Sequence, residues 1–339
     1  MKKFFALLLA VIMVLTMAAC GEKNPAATGD EGELPTIEAK LATIYSATHP
    51  MGITAQRFAD LVAEATDGKF TITVYNSEQL GAMSDAYDSL TMGMIEFDIA
   101  PFSESAKRWA PAGIIEAPYI FESREHCIKF LKDASFEVIK NGLTENIGVT
   151  PIGSFYAGTR HMTTSNTSFT TPDELKAANL KIRASGTYTT AAVQLMGAAA
   201  TPMALSEVYM ALSNNTVDGQ ENPATTILAN KFYEVQKYLI KTGHIVQPQA
   251  ILVNSKFFAS LPEEYQTIVL NAAAQAAEEA NVLFCEKEDA DIEKLASEEC
   301  GMTVVEVDKD AFIAAAETYH KENIEVWGQD LYDAIMALK

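Results

Sequence analysis

Apolar and polar residues alternate over residues 40–45 (Lys-Leu-Ala-Thr-Ile-Tyr), which predicts a strand. From 53 to 66 the apolar positions Ile53, Phe58, Leu61, Val62 and Ala65 recur at helical spacing, and Gly68 ends the run. Phe70, Ile72 and Val74 alternate again, a short helix over 84–92 stops at Gly93, and 97–100 reads as a third strand. Strands separated by helices in this way predict a parallel sheet with helices packed on it. Ser123 is positioned to cap a helix over 123–133, and a second helix follows at 135–145. Residues 148–156 and 159–162 read as two strands, and Thr171-Pro172-Asp173-Glu174 as a capped helix start. Leu180, Ile182 and Ala184 mark a strand that carries Arg183. A helical segment, an Ala-Thr-Pro-Met run, a second helix and a polar turn from Asp218 to Asn222 follow. Residues 240–254 form a long extended run interrupted by Pro248. Residues 260–300 favour helix, with Ser260 and Glu263 as a capping box and Pro262 in the first turn. Unbroken, about forty such residues reach about 60 Å, so the helix must cross between domains or bend. A last strand at 302–307 and helix over 309–337 close the chain.

The chain has 339 residues, long enough for two domains of ordinary size, and 48% apolar with 21% charged residues is a globular balance. A net charge of −20 argues against nucleic acid and anionic lipid surfaces as partners, because the long-range field repels both. Residues 1–20 read as a targeting segment: Lys2 and Lys3 precede an apolar run at 4–14 that is too short to span as a mature membrane helix. Cys127, Cys285 and Cys300 form no CxxC pair and read as small buried hydrophobes. Two positions fifteen apart on one helix meet only if the helix breaks, which leaves a Cys285–Cys300 bridge conditional on such a break.

Arginine is sparse: Arg57, Arg108, Arg124, Arg160 and Arg183 are the whole set. With lysine covering the surface, an arginine among apolar and hydroxyl residues points to its planar fork of donors, which matches a carboxylate bidentately. That singles out Arg160 and Arg183, while Arg108 and Arg124 read as solvated. From the residues alone, Arg183 fits an anion site and a structural salt bridge equally. No GxGxxG, GxxxxGK[ST], HExxH or GxSxG motif is present, the five histidines are scattered, and no metal or cofactor motif is found.

The block KIRASGTYTTAAVQLMGAAATPMALSEVYMALSNNTVDGQENP (181–223) resembles the solute-binding proteins of TRAP transporters (tripartite ATP-independent periplasmic transporters), of the C4-dicarboxylate-binding type. His49-Pro50, FADLVAEATDGKFTITVYNSEQLG, APYIF and SKFFASLPEEYQ are similar to the same family, so the resemblance covers about 38–337. One departure is Ser185, where the family has proline two residues after the KIR arginine. The resemblance implies an α/β, two-lobed periplasmic-binding-protein-like fold, each lobe a sheet flanked by helices, with a long helix spanning both. The expected division is a leader (1–20), a tether (21–37), lobe I (38–157 plus 245–285) and lobe II (158–244 plus 286–339). Met17-Ala18-Ala19-Cys20 resembles a lipobox, which implies lipidation at Cys20 and a membrane anchor.

The resemblance further implies an extracytoplasmic, monomeric receptor, not an enzyme, without metal or cofactor. It captures a small organic acid (a sugar acid, hydroxy acid or dicarboxylate) and delivers it to the membrane permease. Arg183 grips the carboxylate, with Arg160 and Asn222 in the same cleft. His49 and Tyr45 in the first loop, and Phe102 and Ser103 after the third strand, are further ligand-site candidates. The rivals are a lipoprotein serving an ATP-driven importer or sensor, and a secreted enzyme acting on a carboxylated substrate.

Overall fold

The computed structural model describes residues 34–339, so the expected leader, Cys20 and most of the tether lie outside the described residues. The strands are β1 (Ile37–Ala42), β2 (Phe70–Tyr75), β3 (Phe97–Pro101), β4 (Val149–Thr164), β5 (Lys181–Ala184), β6 (Ala199–Pro202), β7 (Gly219–Pro223), β8 (Tyr238–Asn254) and β9 (Thr303–Val305). All nine belong to one sheet in the order β2-β1-β3-β8-β4-β7-β5-β6, with β9 against β8. Helices flank this mixed α/β sheet. β1, β2 and β3 run parallel, as the alternation of strand and helix predicts, and so do β5, β6 and β7. The two parallel sets are joined through β4 and β8, which pair antiparallel from Val149–Asn254 to Thr164–Tyr238. The two expected sheets are therefore one hydrogen-bonded sheet, and Thr36–Lys339 packs as one compact unit.

Several elements differ from the sequence pattern for local reasons. The predicted strands at 148–156 and 159–162 are one strand, β4, whose register slips between Tyr156 and Thr159. Gly158 sits in that slip at φ 107°, and an added Cβ there would lie 2.8 Å from the Pro223 ring. Pro248 of β8 faces Tyr156 at the same irregularity, where a missing N–H costs least. The expected polar turn at 218–222 is mostly a fully buried strand, β7. β1 begins at Ile37, so the last tether position is strand.

The long helix runs Glu263–Ala296, about 51 Å at 1.5 Å per residue. Ser260 does not cap it: that hydroxyl donates to Phe257 O and closes a separate short helix, Ser255–Ser260, whose own cap is Asn254. Alanines 272, 273, 276, 277 and 280 form the buried face of the long helix, small enough for close approach to β4 and the helix Pro50–Ala65. Ser123 and Thr171 cap their helices as expected. Cys127 is buried and Cys285 and Cys300 are half-buried; all three are free thiols.

Phe58, Phe70, Phe97, Phe257 and Tyr265 fill the core beside β1–β3. Met162, Phe169, Leu175, Ile182 and Phe312 fill a second core beside β5. Ile182 enters that core, so the period-two alternation of a strand turns Arg183 to the opposite face.

Candidate functional site

The parallel strands of both sets end toward one crevice. The segments after β1 and β2 contribute Ile44, Tyr45, Glu78 and Met83, and Pro101 ends β3. The opposing wall carries Arg160 of β4, Arg183 of β5, Ser185, Leu205, Asn222 of β7 and Gln247 of β8. Two depressions of about 190 Å³ each open from this floor and share Ile44, Glu78 and Leu205, so the crevice is continuous. Carboxyl ends of parallel strands are where α/β sheets bind ligands, because the loops there are free to vary while the strands hold them in place.

Arg183 is 2% exposed. Its Nε and Nη2 donate to the carbonyl of Met203 at 3.1 and 2.9 Å, and no carboxylate among the described residues pairs with it. Nη1 is buried without a hydrogen-bond partner. Burial, aided by the neighbouring Arg160, pulls the Arg183 pKa down to about 10, against the attraction of Glu221. The group stays cationic at neutral pH, at an electrostatic cost that a bound anion would relieve.

Arg160 is equally buried but fully engaged. Its Nη2 donates to Glu221 Oε1 at 2.9 Å, to the Glu221 carbonyl at 2.7 Å and to Asn222 Oδ1 at 3.0 Å. Its Nε bonds Glu221 Oε2, and Nη1 donates to Gln247 Oε1 at 2.8 Å. Burial alone raises a carboxyl, but Arg160 and the hydrogen bond with His244 overcome it and hold Glu221 down at about 2. The register of β4 slips on both sides of Arg160. Asn222 in turn donates through Nδ2 to Gln220 Oε1, and Gln220 donates to Thr163 Oγ1 at 3.0 Å. The polar residues of β7 are thus bonded in the interior to one another and to Arg160, His244 and Thr163.

A sequence profile of the bacterial extracellular solute-binding proteins of family 7 (DctP) matches residues 41–325. The chain belongs to that family. Among family relatives, the sialic acid-binding periplasmic protein SiaP of Vibrio cholerae is 29% identical over 96% of this chain and 98% of its own length. Two TRAP periplasmic solute-binding proteins of Roseobacter denitrificans have solved structures similar to this fold. One, with bound L-galactonate, is 30% identical, with a TM-score of 0.81 over 90% of this chain and 99% of its own. The other, with bound β-D-glucuronate, is 27% identical, with a TM-score of 0.82 over 89% and 100%.

Of the expected site residues in this DctP-family chain, Arg183, Arg160, Asn222 and Tyr45 meet at the crevice floor. The Tyr45 hydroxyl is raised by burial, with the fields of both arginines opposing. His49 lies at the edge, where its ring stacks on Tyr45 at 4.4 Å. Its Nδ1 accepts from Met51 N at 3.1 Å and so caps the helix Pro50–Ala65, while Nε2 meets Thr226 Oγ1 at 3.3 Å. Both ring nitrogens are engaged in structural bonds, and burial lowers the ring to about 3.

Phe102 and Ser103 are not brought into the crevice. Phe102 begins a short helix and packs edge-on against Phe136 at 5.8 Å in the core. The Ser103 N–H donates to Glu116 Oε1 at 2.8 Å. Pro101, one residue earlier, lines the wall instead. Sequence reasoning missed Gln247 and the role of Glu221. A glutamine inside the otherwise apolar run 240–254 is a signal that could have found Gln247.

A larger depression of about 310 Å³ lies elsewhere, between residues 131–140, the start of β4 and the long helix. Its cations are already paired, Lys132 with Glu278 at 2.7 Å and Lys140 with Glu137 at 2.6 Å. It therefore offers an anion less than Arg183 does, and size alone does not make it the site.

Proposed function

We propose that this chain is the extracytoplasmic receptor of a TRAP transporter and that it captures a small organic acid, of the sugar-acid or hydroxy-acid kind, by its carboxylate on Arg183. The observation that carries this reading is the buried Arg183 guanidinium: among the described residues one nitrogen has no partner and no acid pairs with it, at the floor of a crevice between two sets of strand ends. Bidentate, charge-assisted bonds to a carboxylate suit that fork. Arg160, neutralised and held rigid by Glu221, positions Asn222 and Gln247 beside the ligand. Family membership and the sugar acids bound by the two Roseobacter proteins support the class of ligand. The chain binds its acid and returns it unchanged, as a receptor and not an enzyme.

Residues 38–157 with 245–285, and 158–244 with 286–339, serve as two lobes that close on the acid. The register slips of β4 and the facing Pro248 lie at their boundary and favour bending there. Contacts from both walls are made together only in the closed form, so ligand shifts the population toward it. The closed monomer then delivers the acid to the permease. A lipid on Cys20 holds the receptor at the membrane: Cys20→Ser moves it from the membrane fraction to the soluble fraction, and an unchanged distribution refutes the anchor. The ligand class is tested by thermal shift of the purified protein against galactonate, gluconate, glucuronate, galacturonate, lactate, malate and succinate. A shift with at least one acid is expected; no shift with any of them overturns the reading.

A further inference from the structure

We infer that the crevice selects for a single negative charge: it admits an acid with one carboxylate and an uncharged, hydroxyl-bearing body, and Glu78 rejects a second carboxylate. This rests on the receptor reading above. Among the crevice-lining cations, Arg160 is neutralised by Glu221 and Lys107 by Glu104, whose Oε1 lies 2.6 Å from its ammonium. Among the described residues, Arg183 alone of these cations remains without an ion pair. One anion balances it, and a second finds no free cation.

Glu78 turns that lack into repulsion. It lies on the walls of both 190 Å³ depressions that lead away from Arg183. A ligand anchored on Arg183 therefore passes Glu78 whichever way its far end points. Glu78 forms no ion pair among the described residues, although its field reaches Arg183. The turn at Ser77 and Glu78 holds both residues at positive φ (55° and 60°), which fixes the direction from which Glu78 leaves the chain. The remaining lining of the depression that lacks Arg183 is uncharged: Tyr45, Ser46, Ser77, Ser206 and Asn230 offer donors and acceptors for hydroxyls, and His49 is neutral. Two carboxylates several ångströms apart in a half-buried crevice repel enough to cost about tenfold or more in affinity.

The test compares acids that differ only at the far end. Dissociation constants are measured by calorimetry for galactonate and gluconate, for their oxidised counterparts galactarate and glucarate, and for the far-end monoamides of those two diacids. Glucuronate, galacturonate and succinate complete the set. Each diacid is expected to bind about tenfold or more weakly than its monoacid, and the uncharged monoamide to recover most of that loss. This arm needs no variant and separates charge from size. Glu78→Gln is expected to narrow the monoacid-to-diacid ratio by roughly tenfold, whatever its effect on either affinity alone. A diacid or succinate that binds as tightly as the monoacids overturns the charge selection and leaves the carboxylate receptor standing. A ratio unchanged in Glu78→Gln removes Glu78 from the account. Binding of none of these acids overturns the receptor reading and this proposal with it.

Discussion

Replacing Arg183 by methionine separates a ligand anchor from a structural cation. The side chain is buried and, among the described residues, donates only to the Met203 carbonyl. A buried ion carries a desolvation penalty on the order of several kcal/mol, which an apolar group of similar volume removes. The lost hydrogen bonds to Met203 take back about 1 kcal/mol. The ligand-free variant is therefore expected to melt at or somewhat above the wild-type temperature. Binding behaves in the opposite way. Losing one partner of a buried charge pair costs about 2–5 kcal/mol, at least about thirtyfold in affinity. Acid at a hundred times the wild-type dissociation constant stabilises wild type by about 2.7 kcal/mol, roughly 5–10 °C. At thirtyfold weaker affinity the same concentration contributes under about 1 kcal/mol. Differential scanning fluorimetry of both proteins, with and without acid, reads all four values. A variant that melts several degrees lower without ligand makes Arg183 a structural residue, and one that keeps the full ligand shift removes it from the site; either result refutes the reasoning.

Arg160 is expected to behave differently because its removal strands Glu221. Arg160→Ala leaves a buried carboxylate without its cation and costs about 3–5 kcal/mol in urea unfolding; a loss under about 1 kcal/mol contradicts the pairing. His49 and His161 are both held down at about 3 by burial, so the unfolded chain binds more protons between that value and the ordinary 6.5. Each histidine removes up to about 1.4 kcal/mol per pH unit as pH falls below 6.5. Glu116, raised by burial to about 7 against the opposing Ser103 bonds and Arg160, runs the other way: its proton is favoured in the fold and offsets part of the loss between 7 and 4.5. Glu116→Gln is therefore expected to steepen the acid loss of stability between pH 6.5 and 5, measured by urea midpoints; an unchanged slope refutes the assignment. Gly153→Ala places a Cβ 2.6 Å from the Ala273 carbonyl of the long helix. It is expected to cost about 1–3 kcal/mol by pushing that helix off β4, and a neutral result contradicts the close packing.

The parallel strands and their helices were legible because their periodicity reports burial directly: Phe70, Ile72 and Val74 alternate since one face of β2 is covered. β7 was not legible for the same reason. Gly-Gln-Glu-Asn-Pro looks like a solvated turn, yet every member is buried, because Glu221 meets Arg160, Asn222 meets Gln220 and Gln220 meets Thr163. Polarity signals exposure only where the partners are water. β4 was read as two strands flanking Gly158 and β8 as one long run interrupted by Pro248, although both residues sit at one shared irregularity where the ladder tolerates them. Arg183 was found through the scarcity of arginine and the resemblance of its surroundings, which the residues alone left balanced against a salt bridge. The structure places no acid of the described residues on it. Phe102 was misplaced by one residue: the strand's carboxyl end does face the crevice, but the chain enters a helix there and turns the ring into the core. His49 was open between capping and contact, and both of its nitrogens are committed to structural bonds.

A crystal structure of the protein grown with a saturating acid from the panel tests the central claim most directly. The account predicts a carboxylate oxygen within about 3 Å of Arg183 Nη1, with the Arg160–Glu221 pair intact. An acid seated in the 310 Å³ depression beside Lys132, or in the crevice with its carboxylate away from Arg183, contradicts it.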